Sequence, residues 1–157
     1  NKSYEAVIKL GQETNTLDTE GDIIETAPIP NLSDEQIQAT LESFLGKQSQ
    51  IPPMFSAKKI NGKRLYSLAR EGITVERESI EITIEAIKLI SFKVDEIRLS
   101  TTCSKGTYIR VLGSDIARKL GTVGYLIELT RTHVGNANIK ESLTIDEFQE
   151  KWKSIHL

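Results

Sequence analysis

One cysteine, Cys103, and two histidines, His133 and His156, are all that the chain offers of the usual metal-ligating nitrogens and sulfurs. A lone cysteine supports neither a disulfide framework nor a thiolate zinc site, and the default setting for such a chain is a reducing cytoplasm. The histidines are isolated, with no Cys/His cluster to supplement them, so no metal is expected. There is no glycine-rich phosphate loop and no Ser/His/Asp arrangement, so no nucleotide cofactor or serine-hydrolase chemistry is expected either. No apolar run approaches the ~20 residues of a membrane span, and no signal peptide opens the chain. Cys103 ends an apolar strand face and reads as a buried structural thiol.

What is present is an ordinary globular composition, 38% hydrophobic and 27% charged, over 157 residues, enough for one domain or part of a larger one. The net charge of −2 argues weakly against a nucleic-acid partner, but its distribution argues the other way. Between Met54 and Arg70 lie five cations (Lys58, Lys59, Lys63, Arg64, Arg70) and no acid, on a chain that is otherwise acidic. Interleaved with Phe55 and Tyr66, these cations suit phosphate contact and the reading of RNA shape. A solvated surface hairpin is the plainer alternative.

Along the chain, Tyr4, Ala6, Ile8 and Leu10 alternate as one face of a strand that ends at Gly11. The strand opens almost at the first residue, so a segment upstream of it is expected. Residues 12–22 form a polar loop, and Ile23–Thr26 a short strand stopped by Pro28 and Pro30. Ser33 and Gln36 make a capping box for a helix with the stripe Ile37, Leu41, Phe44, Leu45, closed by Gly46. Pro52-Pro53 forces extended chain, Asn61-Gly62 signals a tight turn, and Leu65, Leu68 and Ala69 suggest a short helix ended by Gly72. As a unit, residues 52–78 read as a projecting basic arm. Ile80–Ala86 alternates as a strand that pairs with Ile97–Cys103 across a turn near Lys93–Asp95. Ile109, Leu112, Ile116 and Leu120 recur at helical spacing, with Gly121 as the stop.

Cys103–Arg110, CSKGTYIR, is therefore a strand, a short turn carrying Lys105, and the start of a helix. Arg110 falls in the first helical turn, where the macrodipole is already positive. Either the arginine is solvated, or an anion lies close by, a carboxylate or a nucleic-acid phosphate. Spacing leaves Tyr125–Leu129 ambiguous and allows a strand over Thr130–Val134. Thr144 and Glu147 repeat the capping box before a terminal helix over Ile145–Trp152. The fold class is α+β, with a mixed, largely antiparallel sheet and flanking helices.

Four ordered blocks carry a resemblance. CSKGTYIR, KSYEAVIKLG with the TNTLDTEG loop after it, QIPPMFSAKKINGKRLYSLAREGITVER and GYLIELTRTHVG are similar to motifs of the TruB-type tRNA pseudouridine synthases, in the same order. The likeness thins after Gly135. It implies a partial pseudouridine synthase-like fold, with residues 1–157 the C-terminal part of one catalytic domain and no separate C-terminal RNA-binding domain. It favours a short helix over Tyr125–Leu129. It implies a cofactor-free, monomeric enzyme that isomerises uridine 55 in the T loop, with the tRNA T stem-loop as partner.

The resemblance also implies roles. Tyr4 would stack on the flipped uracil, Arg110 would pair with the catalytic aspartate, Tyr108 would wall the site, and Leu129 would supply an apolar contact. Lys58, Lys59, Lys63, Arg64 and Tyr66 would grip the stem-loop from the arm, with Lys105 a further substrate contact. From residue pattern alone, Tyr4 and Leu129 read equally as core.

The family's nucleophile lies in a G-x-L-D-P motif ahead of the first strand, and that motif is not in this sequence. Thr16-Leu17-Asp18 imitates it, but Asp18 aligns with the later polar loop and is followed by Thr19 instead of proline, so Asp18 is not read as catalytic. Tyr125, Thr130 and Ala137 also depart from the family pattern. The rival readings are a catalytically inactive RNA-binding module or fold fragment, a guide-RNA-dependent rRNA synthase, and a protein-interaction domain whose basic arm meets an acidic partner.

Overall fold

The computed structural model describes residues 1–60 and 62–155; Asn61 of the expected Asn61-Gly62 turn, and His156, lie outside them. The chain runs β1 (Lys2–Leu10), β2 (Gln12–Thr14), β3 (Ile23–Thr26), α1 (Asp34–Glu42), β4 (Gly46–Gln50), β5 (Lys59–Ile60), β6 (Lys63–Arg64), α2 (Leu65–Arg70), β7 (Ile80–Lys93), β8 (Glu96–Cys103), α3 (Ile109–Lys119), β9 (Gly124–Val134), β10 (Ala137–Asn138), a 3₁₀ turn (Ile139–Glu141) and α4 (Ile145–Ile155). Six strands form one sheet in the order β10-β9-β1-β8-β7-β4, and every ladder in it is antiparallel. The mixed character expected from sequence is reduced, among the described residues, to a single parallel bridge between Asp18 and Leu126.

The alternation that marks β1 is realised as burial: Tyr4, Ala6, Ile8 and Leu10 face one core with Ile97, Leu99 and Cys103 of β8 and Ile82, Ile84 and Ile87 of β7. α1 closes it over β7 with Ile37 and Leu41, and α3 closes it over β1 and β9 with Ile109, Leu112, Ile116 and Ala117. Each fully buried Ile or Leu contributes about 1.5–3 kcal/mol relative to an exposed one, so this face carries most of the fold's apolar stabilisation. α3 lies so close that a Cβ on Gly124 would stand 2.7 Å from Ala117 Cβ and 2.9 Å from the Lys9 carbonyl oxygen. The opposite face is largely polar, with Arg98 paired to Glu128 at 2.7 Å.

Both capping boxes form, Ser33 with Gln36 and Thr144 with Glu147, each with its two reciprocal hydrogen bonds. The β7–β8 hairpin turns at Val94 as expected, and β7 runs on past Ala86 to Lys93, longer than alternation alone marks. Three expectations change. α1 ends at Glu42, with Ser43 as its C-cap, instead of running to Gly46, and Gly46 (φ +90) instead opens β4, a strand without apolar alternation. Such a polar sequence suits an exposed sheet edge, and among the described residues this one pairs only with β7. The helix expected over Tyr125–Leu129 is a strand: β9 is continuous from Gly124 to Val134 and pairs along the whole of β1. Spacing leaves this stretch open and only the resemblance favours a helix; cross-strand pairing with β1 and the burial of Leu126 decide for the strand. The basic segment does not project throughout, because Pro52, Pro53, Ser56, Leu65 and Leu68 are buried. Among the described residues, no helix is long and apolar enough to cross a membrane.

Candidate active site

Arg110 is in the first turn of α3, a helix with no side-chain cap and no acid in that turn. Its guanidinium nevertheless makes three hydrogen bonds to protein acceptors. Nη1 donates to Asp18 Oδ2 at 2.6 Å and to the Thr16 carbonyl at 3.0 Å, and Nη2 donates to the Phe55 carbonyl at 2.7 Å. Arg110 and Asp18 are both largely shielded, with side chains 22% and 23% exposed, so the pair is stronger than a solvated one. The anion that the helix N-terminus calls for is thus a carboxylate, Asp18. Sequence reading identified the need for it and placed Asp18 in the right loop, but did not join the two.

The Asp18 loop is held in an unusual conformation. Leu17 adopts φ +62, and its carbonyl accepts from the Leu126 N–H at 3.0 Å, fastening the loop to the edge of β9. Asp18 Oδ1 accepts from Thr16 Oγ1 at 2.6 Å and from the Glu20 N–H at 3.1 Å. At Gly21 a Cβ would collide with the Asn15 and Thr16 side chains, so the loop closes only around a residue without one. With both oxygens of Asp18 engaged, this carboxylate is a holder of Arg110 and is poorly placed as a nucleophile.

Tyr108 caps the same helix, and its position is set from 58 residues away. The buried Gln50 amide accepts from the Tyr108 N–H at 2.8 Å and donates to the Tyr108 carbonyl at 3.2 Å, pairing with that peptide as a strand would. Gln50→Ala is expected to lower stability by roughly 1–3 kcal/mol, since the Tyr108 N–H loses its partner while the Tyr108 carbonyl keeps the Leu112 N–H. Urea unfolding of the variant measures it, and a loss under about 1 kcal/mol would show that water replaces the amide.

A cavity of about 460 Å³ collects these groups: Tyr4, Asp18, Tyr108, Arg110, Leu129 and Arg131 all line it. Tyr4 is only 8% exposed, and the Arg131 guanidinium sits 5.6 Å from its ring centroid, an arrangement that sequence reading did not foresee. Leu129 is 46% exposed and faces the cavity instead of the core. Lys105 is exposed on its turn and does not line the cavity. Lys58, Lys59, Lys63, Arg64 and Tyr66 also lie outside it, on the β5–β6 hairpin and α2. Among the described residues, none of Lys58, Lys59, Lys63, Arg64 and Arg70 makes an ion pair. Arg64 donates to the Tyr66 hydroxyl at 3.2 Å, which holds that phenol below its usual range, and Arg70 packs over the same ring. The arm's ends are tied by Arg77, which donates to the Pro52 carbonyl. Cys103 is fully buried, and burial pushes its thiol above the usual range, as befits a structural residue. No cluster of potential metal ligands occurs among the described residues.

The sheet with two helices on one face is the architecture of a chain in the crystal structure of a Cbf5–Nop10–Gar1 complex, with a TM-score of 0.68 over 99% of this chain and 38% of that one, at 19% identity. An H/ACA RNP bound to a substrate RNA containing 2′-deoxyuridine matches at a TM-score of 0.61 and 17% identity, over 99% of this chain and 36% of its own. The likeness shows that this chain shares the fold of those two chains. The profile of the TruB family pseudouridylate synthase (N terminal domain) matches residues 1–109, and the chain belongs to that family. The tRNA pseudouridine synthase B of Psychrobacter cryohalolentis is 45% identical over 148 residues, 94% of this chain and 41% of that protein. That of Francisella tularensis subsp. novicida is 46% identical over 160 residues, 98% of this chain and 53% of that protein. The chain thus spans about half the length of these relatives, or somewhat less.

Proposed function

We propose that this chain is the part of a tRNA pseudouridine synthase that receives and orients the target uridine, acting on uridine 55 of the T stem-loop. The observation that carries the reading is the convergence of Tyr4, Tyr108, Leu129 and Arg110 on one cavity, of a size suited to a small ligand group. A base reaches such a cavity only after leaving its stack, and the site then has to replace the lost stacking. Tyr4 offers that aromatic face once the Arg131 guanidinium moves aside, and Leu129 and Tyr108 supply walls.

Arg110 supplies the charge. Of the five N–H donors of a guanidinium, Asp18, Thr16 and Phe55 occupy three, which leaves two for a further acceptor. The catalytic aspartate, contributed from outside this chain, takes that edge and stays ionised beside a fixed cation. The reaction breaks the bond from uracil N1 to C1′ and forms one from C5 to C1′. C5 gives up its hydrogen and N1 gains one, so no oxidant, reductant or cofactor enters. Residues 52–78 act as the RNA-gripping arm, with the cations Lys58, Lys59, Lys63 and Arg64 on phosphates. The working unit is a monomer in the cytoplasm.

Conversion of an isolated T stem-loop by the gene-encoded protein, read by reverse transcription after carbodiimide treatment, tests this. Modification at uridine 55 without any added guide RNA is the expected result. A need for a guide RNA, or binding without modification, would replace the reading by a guide-dependent synthase or by an RNA-binding module.

A further inference from the structure

Three side chains of α3 repeat at every fourth position along one stripe: Arg110, Ser114 and Arg118. The chain from Glu13 to Asp18 lies along this stripe and is fixed to it at both ends. At one end Asp18 takes Arg110. At the other, the buried Glu13 carboxylate accepts from Ser114 Oγ at 2.6 Å through Oε2 and from Arg118 Nη2 at 2.7 Å through Oε1. Arg118 Nη2 also reaches Glu25 at 3.0 Å, which is the cross-strand neighbour of Glu13 on β3. Two carboxylates directly opposite in a ladder repel, and Arg118 is what lets them share one face.

A carboxylate only 7% exposed is a poor choice for stability, since an apolar side chain of similar volume fills such a space at less desolvation cost. What a carboxylate adds is direction: two charge-assisted hydrogen bonds fix β2 along the helix axis. Thr14 extends the same brace, its hydroxyl donating to the Asp18 carbonyl at 2.7 Å. We infer that Glu13 is a positioning residue for Arg110, clamping the Asp18 loop to α3 through Ser114 and Arg118 so that the guanidinium keeps its free edge toward the reacting carboxylate. This rests on the synthase reading above. Glu13, Ser114 and Arg118 do not line the cavity, so they act on the orientation of Arg110 and not on RNA contact.

The test compares Glu13→Gln with Glu25→Gln in the gene-encoded protein. Glutamine preserves shape and the contact with Ser114 but presents an uncharged amide to Arg118. The expected result for Glu13→Gln is a roughly tenfold lower kcat on the T stem-loop with KM within twofold, and shifted Arg110 guanidinium 15N resonances in the free protein. Glu25→Gln, which loosens only the half-exposed outer contact, should leave both readouts as in wild type. Unmoved Arg110 resonances, or a lower Tm with unchanged kcat for the folded fraction, would overturn the inference. If Glu13→Gln does not fold, Ser114→Ala decides by the same two readouts. The resonances report on the clamp even if the wild-type protein forms no pseudouridine, an outcome that would count against the synthase reading alone.

Discussion

Arg110→Ala is expected to slow pseudouridine formation by about two to three orders of magnitude while changing affinity for the T stem-loop by less than about threefold. The asymmetry follows from where the side chain points. All three acceptors of Arg110 are protein groups: the Asp18 carboxylate and the carbonyls of Thr16 and Phe55. Alanine therefore removes no phosphate contact, but leaves Asp18 with an unpaired oxygen and any second carboxylate at the site without its cation. Arg110→Lys should recover little, because one ammonium cannot span three acceptors on two segments in a fixed plane. Single-turnover rates beside equilibrium binding separate the effects. Equal losses in rate and affinity would make Arg110 an RNA contact and would remove it from the chemistry.

The arm gives the second large effect, with the opposite signature. Changing Lys58, Lys59, Lys63 and Arg64 together to glutamine is expected to weaken stem-loop binding by about 100-fold or more at physiological salt. It should also flatten the slope of log affinity against log salt by about three, at roughly 0.7–0.9 for each phosphate no longer neutralised. These cations make no ion pair among the described residues, so their replacement breaks no salt bridge, although Arg64 gives up its bond to Tyr66. Turnover at saturating RNA should fall far less than affinity. Binding titrations at several salt concentrations measure both, and an unchanged salt slope would mean that the hairpin is only a solvated surface.

These two predictions rest on features of unequal legibility. The arm's charge is contiguous in sequence and needs no fold to be seen. The strands β1, β7 and β8 were equally plain, because half-buried strands alternate, and both capping boxes follow a local four-residue rule. β4 was not, since an edge strand reading GKQSQ has no buried face to announce it. The first half of β9 is ambiguous in sequence because Tyr125–Leu129 acquires its state from the β1 edge beside it, whereas Thr130–Val134 already allows a strand. The site was legible in its residue types, and Arg110 visibly required an anion. Its partner is 92 positions away in an aperiodic loop, and no local pattern joins the two. The Gln50–Tyr108 pairing and the Glu13 clamp escaped notice for the same reason, and the Arg131 guanidinium over Tyr4 depends on a register only the sheet defines.

The central claim is that a uridine placed in this cavity exchanges its bond from N1 to C5. Formation of the new carbon–carbon bond expels the hydrogen on C5, so a T stem-loop carrying tritium at C5 of uridine 55 reports the event directly. The account predicts release of one tritium per stem-loop by the gene-encoded protein, complete without guide RNA or added cofactor. Tight binding of the stem-loop with its tritium fully retained would contradict it.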